Sequence, residues 1–316
     1  MEEYRMRASS ATRLTWGDLP PAVRGEITDR SGAAVLQAVS QEGGFTSGLA
    51  ARLLLVDGRR VFVKGVPTEH PLAGMYEHEA AVAAAVPSAF SSPALLWSDG
   101  VEDWILLLFD DVDGCHPSLA PDSADLPAVL ATVTSMEEVL SPCPYVGARP
   151  VAEAMARVSN CWRALDADPP GDLAPWCARH LAHLIEWETR WMPAAEGDTL
   201  VHADLRPDNM LREHTGGAVF VVDWAFGYRG AAWFDVAWLV PYLIMEGHTP
   251  ASAEAALAGI PAWASADPDA VTALAVSVAG HWELARRRRS RPALRAYQDR
   301  EAAAALAWTA HRTGWR

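Results

Sequence analysis

Between Leu200 and Phe226 the chain reads LVHADLRPDNMLREHTGGAVFVVDWAF, and no other segment limits the possible folds as much. A short apolar run ends on His202-Ala203-Asp204, and Asn209 follows five positions after Asp204. A second apolar run, Val219 to Val222, ends on Asp223. Short apolar runs with polar ends read as buried strands, here over Thr199 to His202 and Ala218 to Val222. If the two strands are neighbours, their ends bring two carboxylates and an amide to one point. Phosphoryl transfer needs such a set: one carboxylate to orient a hydroxyl and take its proton, and an amide oxygen with a second carboxylate to hold magnesium.

Upstream, the sequence predicts strands with one helix. Ala34 to Val39 and Ala51 to Val56 are short apolar runs, the second followed by Asp57-Gly58, a pair suited to tight hairpins. Arg60 to Val66, RVFVKGV, alternates as a half-buried strand does. Tyr76 to Val86, YEHEAAVAAAV, is Ala-rich with glutamate near its start and predicts a helix. Trp104 to Phe109, WILLLF, is a continuous apolar strand closed by Asp110-Asp111-Val112-Asp113-Gly114. After it, Pro-rich stretches at 117–127 and 141–150 interrupt a helical region, in which 176–192 has the spacing of one amphipathic helix. The chain from Ala232 onward reads as helices with turns near Pro250, Pro261 and Pro268. VAWLVPYLIM, Val236 to Met245, is too short to span a bilayer and carries Pro241, so it predicts a buried helix or a pair of helices. The expected class is α+β in two lobes, residues 1–111 and 112–316, with a cleft between them.

Composition removes whole classes of partner. With 26 Lys and Arg against 40 Asp and Glu, the net charge of -14 argues against general nucleic-acid affinity. That charge suits a cationic substrate, and equally serves solubility. The Arg286 to Arg289 run with Arg291 is a local exception, read as a solvated helix face or an anion contact. No apolar run approaches a membrane span, and the first residues lack the apolar core of a secretory signal. Cys115, Cys143, Cys161 and Cys177 show no ligand-like spacing, so thiols in a reducing cytoplasm are expected. Glu246, Asp267, Asp269 and Glu283 read as surface acids that could meet ammonium groups, and Trp224, Trp233, Trp238 and Trp282 as core, with one or two able to line a pocket.

HADLRPDN resembles the HGDxxxxN catalytic loop of aminoglycoside phosphotransferases, small-molecule relatives of the protein kinases, and VVDWAF is similar to that family's counterpart of DFG. The Ala-, Arg- and Trp-rich composition resembles that of actinobacterial members. The resemblance implies a two-lobed protein-kinase-like fold, with a β-rich N-lobe carrying one main helix and a larger helical C-lobe. It implies Asp204 as the catalytic base and Asn209 with Asp223 as magnesium ligands, His202 packing the loop and Asp235 bracing it. Lys64 stands where the family places the lysine that contacts the α- and β-phosphates. Glu79 resembles the acid that pairs with it, with Glu77 as competitor. Gly43-Gly44-Phe45-Thr46-Ser47-Gly48 stands where a nucleotide-covering loop belongs, which makes Gly44, Thr46 and Ser47 candidates for the phosphates. It is not a P-loop, because no GK[ST] follows. LLLFDDVDG resembles the hinge that holds adenine through backbone groups, with Asp110, Asp111 and Val112 as the positions. Ala203 replaces the family's usual Gly, and Trp224 stands where protein kinases have Phe. No Ala-Pro-Glu segment follows Asp223, which points to small molecules rather than proteins as acceptors.

The function implied is transfer of a phosphoryl group from ATP or GTP, with Mg2+, to the free hydroxyl of a small molecule. An antibiotic of aminoglycoside or nucleoside type is one acceptor class, with resistance as the role. A metabolite such as choline, homoserine or an amino sugar is another, and a catalytically silent nucleotide binder is a third reading. A metal-dependent hydrolase using His202, Asp204 and Asp223 would leave Lys64 and Asn209 without work.

Overall fold

The structure, a computed structural model, describes residues 14–41, 48–288, 290 and 292–316. The chain divides into two compact units, one of Met1–Cys115 with Leu211–Phe226, the other of His116–Met210 with Gly227–Arg316. Against a single division after residue 111, the segment carrying Asp223 thus belongs with the first unit.

That unit is built on a five-stranded antiparallel sheet of β1 (Val35–Ser40), β2 (Leu49–Leu55), β3 (Arg60–Pro67), β4 (Leu95–Val101) and β5 (Trp104–Asp110), ordered β1-β2-β3-β5-β4. Helices α1 (Pro21–Ser31) and α2 (Ala73–Ala85) accompany it. Val23 and Ile27 of α1 pack with Leu53, Val61, Val63, Leu106 and Leu108, while Tyr76 and Ala83 of α2 pack with Val66, Ile105, Leu107 and Phe109. Successive residues of a strand face opposite ways, so each face of the sheet has its own helix. This is why β5 is apolar without alternation: Leu106, Leu107 and Leu108 are all buried, and full burial of one such side chain contributes roughly 1.5–3 kcal/mol.

The sequence predicted one helix here, and the described residues form two α-helices. Helix α1 buries only Val23, Ile27 and Ser31, one residue per turn, which leaves little apolar signal. Its ends are nonetheless marked, by Pro21 at the first turn and by Gly32 at φ 75, whose N–H closes onto Thr28 and Asp29 carbonyls. Strand β4 was also missed: it is a largely exposed edge strand in which Ser98-Asp99-Gly100 interrupts the apolar residues.

A second, three-stranded sheet joins β6 (Gly114–Cys115), β8 (Met210–Glu213) and β9 (Val219–Val221). Gly114 pairs with Glu213, the Val221 N–H donates to the Ser91 carbonyl at 2.9 Å, and the Trp224 indole donates to Ser92 Oγ at 3.0 Å. These bonds tie Leu211–Phe226 to the first unit.

The second unit is helical: α3 (Leu126–Leu140), α4 (Val151–Ala154), α5 (Cys161–Ala167), α6 (Pro175–Trp187), α7 (Trp191–Ala194), α8 (Trp233–Trp238), α9 (Val240–Met245), α10 (Pro250–Leu257), α11 (Pro261–Ala264), α12 (Pro268–Ala285) and α13 (Pro292–Thr313). Helix α12 is buried almost all round, and its small residues let neighbours approach: a Cβ on Gly280 would meet the Trp162 ring nitrogen at 2.6 Å. The single helix expected over 176–192 is two, α6 and α7. The break follows from Glu188, fully buried, whose carboxylate accepts the Trp162 N–H at 2.8 Å and the Arg163 N–H at 3.3 Å at the start of α5. Two short strands, β7 (Thr199–Val201) and β10 (Tyr228–Gly230), pair antiparallel, with Tyr228 opposite Val201. The strands delivering Asp204 and Asp223, expected to be neighbours, therefore lie in different sheets, because each takes a partner that the sequence pattern did not mark. Val236 to Met245 is a pair of helices, and among the described residues no helix is long and apolar enough to cross a membrane.

Candidate functional site

In the first unit three predicted residues come together. Lys64 lies on the β3 face that α2 covers, paired in register with Leu107. Glu79 is on the inward stripe of α2 with Tyr76, Val82 and Ala83, whereas Glu77 is exposed. The Lys64 ammonium donates to both Glu79 oxygens at 2.7 and 2.6 Å and to Asp223 Oδ1 at 3.0 Å, and lies 5.6 Å from the centre of the Tyr76 ring. Burial by itself would pull the Lys64 pKa down, but the Asp223 and Glu79 carboxylates outweigh it and hold the amine protonated. Burial pushes Glu79 up to about 7, with Lys64 opposing the rise and Asp223 adding to it. Asp223 follows β9 with φ +65, a left-handed backbone rare outside glycine, and its side chain is 45% exposed. Such a buried pair contributes more to geometry than to net stability: it presents one amine and one accessible carboxylate side by side.

Of the covering loop, Gly44, Thr46 and Ser47, with Gly43 and Phe45, lie outside the described residues. Gly48 closes that loop, and a Cβ there would meet the Tyr76 hydroxyl at 2.5 Å and the Gly65 carbonyl at 2.7 Å, so no larger residue fits. The hinge candidates follow directly. Asp110 ends β5 with its N–H on the Ala94 carbonyl at 3.0 Å. Arg52 then pins the next two residues, its Nε 3.0 Å from Asp111 Oδ1 and its Nη2 donating to the Val112 carbonyl at 2.9 Å. That carbonyl is thus already engaged within the protein.

In the second unit β7 leads into the loop His202 to Asn209. Asp235, on α8 and 2% exposed, accepts the His202 N–H at 2.5 Å and the Ala203 N–H at 2.8 Å. Burial raises its pKa, opposed by the His202 ring and by these two N–H groups. Ala203 has φ +57, so the position that the family fills with Gly is one where Ala carries a backbone penalty. His202 is fully buried and its Nδ1 accepts the Asp204 N–H at 3.3 Å, a packing role. Asn209 Nδ2 donates to the Asp204 carbonyl at 2.8 Å and to Asp204 Oδ2 at 3.2 Å. Both partners are acceptors, which fixes the amide's orientation and leaves Asn209 Oδ1 with no donor among the described residues.

One residue was not singled out from the sequence. Arg206 is 4% exposed, with its Nε 3.6 Å from Asp204 Oδ2 and its Nη2 3.0 Å from Asp208 Oδ2. Burial opposes its charge, but Asp204 and Asp208 more than compensate. Its signal was an arginine flanked by two acids in DLRPDN. Other candidates fall away. Glu283 is not a surface acid but is buried between Arg286 and Arg287, which also reach Asp299 and Asp172, so these arginines meet protein carboxylates. Asp267 caps α12. Trp224, Trp233, Trp238 and Trp282 are all buried.

Each unit carries an oxygen donor of a kind that suits a hard cation. Among the described residues no three His, Cys, Asp or Glu side chains gather as a metal centre. In the second unit Asn209 Oδ1 lacks a donor among the described residues, and in the first Asp223 is a partly exposed carboxylate; magnesium takes few such protein oxygens and fills its sphere with water and phosphate.

A model of the phosphotransferase enzyme family matches residues 44–271. No curated protein sequence matches. Among solved structures, an aminoglycoside phosphotransferase from Alicyclobacillus acidocaldarius is 14% identical with a TM-score of 0.60, the alignment covering 94% of this chain and 96% of that one. A fructosamine-3-kinase candidate from Thermobifida fusca is 19% identical, TM-score 0.57, covering 90% and 98%. An amicoumacin kinase in complex with AMP-PNP, Ca2+ and Ami is 12% identical, TM-score 0.57, covering 92% and 93%. At these identities the likeness speaks for the fold. With the family match spanning well over half its length, this chain belongs to the phosphotransferase enzyme family and is a small-molecule phosphotransferase with a protein-kinase-like α+β fold.

Proposed function

We propose that the chain transfers the γ-phosphoryl group of ATP or GTP to a hydroxyl of a small molecule, an antibiotic of aminoglycoside or nucleoside type, in a resistance role. The observation that carries the reading is the Lys64 ammonium held between Glu79 and Asp223 at 2.6–3.0 Å. Lys64 binds the α- and β-phosphates, and Glu79 keeps it extended and charged. Asp204 orients the acceptor hydroxyl and takes its proton, steadied by Asn209 and Arg206. The covering loop with Gly44, Thr46 and Ser47 shields the phosphates, and backbone groups at Asp110 and Val112 meet the base. Asn209 and Asp223 would hold magnesium, which would supply charge neutralisation on the phosphates. The remaining contribution is alignment of the hydroxyl for in-line attack. The likeness to a fructosamine-3-kinase candidate supports a second reading, a metabolite kinase of the same fold.

The test is magnesium-dependent consumption of ATP and GTP against aminoglycosides, nucleoside antibiotics, macrolides and amino sugars, with mass detection of a phosphate adduct. Asp204→Ala should lower turnover by roughly 10²- to 10⁴-fold while the protein stays folded. Near-normal turnover in that variant would remove Asp204 from the mechanism.

A further inference from the structure

The catalytic loop ends on Asn209 and Met210, and a histidine that the mechanism has not used meets it there. His116 and Met210 both belong to the second unit, and His116 Nδ1 lies 3.0 Å from the Met210 carbonyl. A carbonyl only accepts, so Nδ1 carries the proton in this bond. The strands leading to the two residues explain why a side chain is needed. Strands β6 and β8 run antiparallel with Gly114 opposite Glu213 and Cys115 opposite Arg212, and the His214 N–H donates to the Asp113 carbonyl at 3.0 Å. Bonded pairs alternate with open ones along such a ladder. After Asp113–His214 the next bonded pair is therefore Cys115–Arg212, and the same register carried onward sets Pro117 opposite Met210 as the one after. Proline has no N–H to give. The carbonyl of Met210, a fully buried residue, would then lose its ladder donor, and a buried carbonyl requires one. The His116 imidazole takes the place of the missing N–H.

We infer that His116 is a positioning residue for phosphotransfer: it anchors the Met210 carbonyl and thereby fixes Asn209, the residue before it. Asn209 is held on its other side, its N–H on the Arg206 carbonyl at 2.9 Å and its Nδ2 on the Asp204 carbonyl at 2.8 Å. The Met210 N–H returns to the Pro207 carbonyl and closes the turn. Both backbone groups of Met210 are thus engaged, which clamps the exit of the loop and holds the direction of Asn209 Oδ1. The inference rests on the proposed magnesium role of Asn209. His116 acts only through Met210 and is assigned no contact with metal or substrate.

The test compares the full chain with its His116→Asn, His116→Gln and His116→Ala variants. The asparagine amide nitrogen takes the position of ring Nδ1 and can donate to Met210, whereas the glutamine amide nitrogen corresponds to Nε2 and reaches past it. His116 is exposed, so these changes leave the core intact. Mn2+ is the probe for the magnesium site, its free concentration read by electron paramagnetic resonance with AMP-PNP saturating. His116→Ala and His116→Gln should weaken Mn2+ binding about ten-fold, the effect of one lost hydrogen bond to a buried acceptor. His116→Asn should restore most of that loss, and metal-free AMP-PNP affinity should not change in any variant. A merely structural bond would lower the denaturation midpoint and leave Mn2+ affinity alone. Parental Mn2+ affinity in His116→Ala, or equal affinities in the Asn and Gln variants, would overturn the inference. A parent chain that binds no Mn2+ with AMP-PNP would count instead against the magnesium reading of Asn209. The anchoring is then read by hydrogen–deuterium exchange over residues 204–212. Faster exchange in the Ala and Gln variants with parental exchange in Asn upholds it, and equal exchange in all four proteins overturns it.

Discussion

Replacing Asp235 by Asn removes one negative charge from a side chain only 2% exposed and keeps its shape. The carboxylate accepts two backbone N–H groups, at 2.5 Å from His202 and 2.8 Å from Ala203. An amide offers one oxygen, so one N–H keeps its acceptor and the other is turned against an NH2 group. A buried donor left without a partner costs about 1–3 kcal/mol. Part of that is returned, because the buried charge itself is disfavoured, as the upward pull on its pKa shows. We expect a net loss of about 1–2 kcal/mol in a urea melt. The larger effect falls on activity. Ala203 sits at φ +57, a conformation costing an L-residue roughly 1–2 kcal/mol, and the Asp235 bond to its N–H opposes relaxation. Once the loop relaxes, Asp204 moves, and a displacement near 1 Å is enough to reduce turnover about 10²-fold. The assay pairs urea denaturation with steady-state nucleotide consumption. Adding Ala203→Gly to Asp235→Asn should restore part of the stability, and the double-mutant cycle measures how far the two positions are coupled. An Asp235→Asn protein with unchanged melt and turnover within two-fold of the parent would refute the bracing argument.

Two further outcomes follow from the same geometry. Ala203→Gly alone should stabilise the fold by about 1 kcal/mol, read as a raised denaturation midpoint, since glycine carries no penalty at this φ. An unchanged or lowered midpoint would show that the left-handed backbone there is not strained. Glu79 titrates near 7 in the folded protein against an ordinary 4.5. The folded state therefore favours its protonated form, and this group alone withdraws stability as pH rises from 4.5 towards 7. As pH falls through about 7 it takes up a proton and loses its charge-assisted bonds to Lys64, so the KM for nucleotide should rise on the acid side. Glu79→Gln should abolish that limb; a limb that persists in the variant would assign it to another group.

Much of the site was legible as local pattern. The alternation in RVFVKGV puts Lys64 on one face of a strand, and the order Asp204, Asn209, Asp223 marks two loops that end apolar runs. Glu79 could be preferred to Glu77 but not proved, because both lie on one predicted helix. The stripe of Tyr76, Glu79, Val82 and Ala83 became visible only when α2 covered its sheet face. Arg206 escaped notice because arginines are usually solvated, and only burial between Asp204 and Asp208 distinguishes this one. The break between α6 and α7 likewise depends on Glu188 finding the start of α5, a contact 26 residues away in the chain.

By itself the sequence determined the chemistry-bearing residue types, their spacing and the change from strand-rich to helix-rich chain, since these depend on side-chain identity and on periods of two or 3.6 residues. Only the tertiary structure decided which strands pair, so that β7 joins β10 and β9 joins β8, and that Leu211–Phe226 belongs with the first unit. It also decided that Asp235, not a nearer acid, receives the Ala203 amide. Pairing and burial are satisfied by hydrogen-bond partners distant in the chain, and the energy of those contacts has no local signature in the sequence.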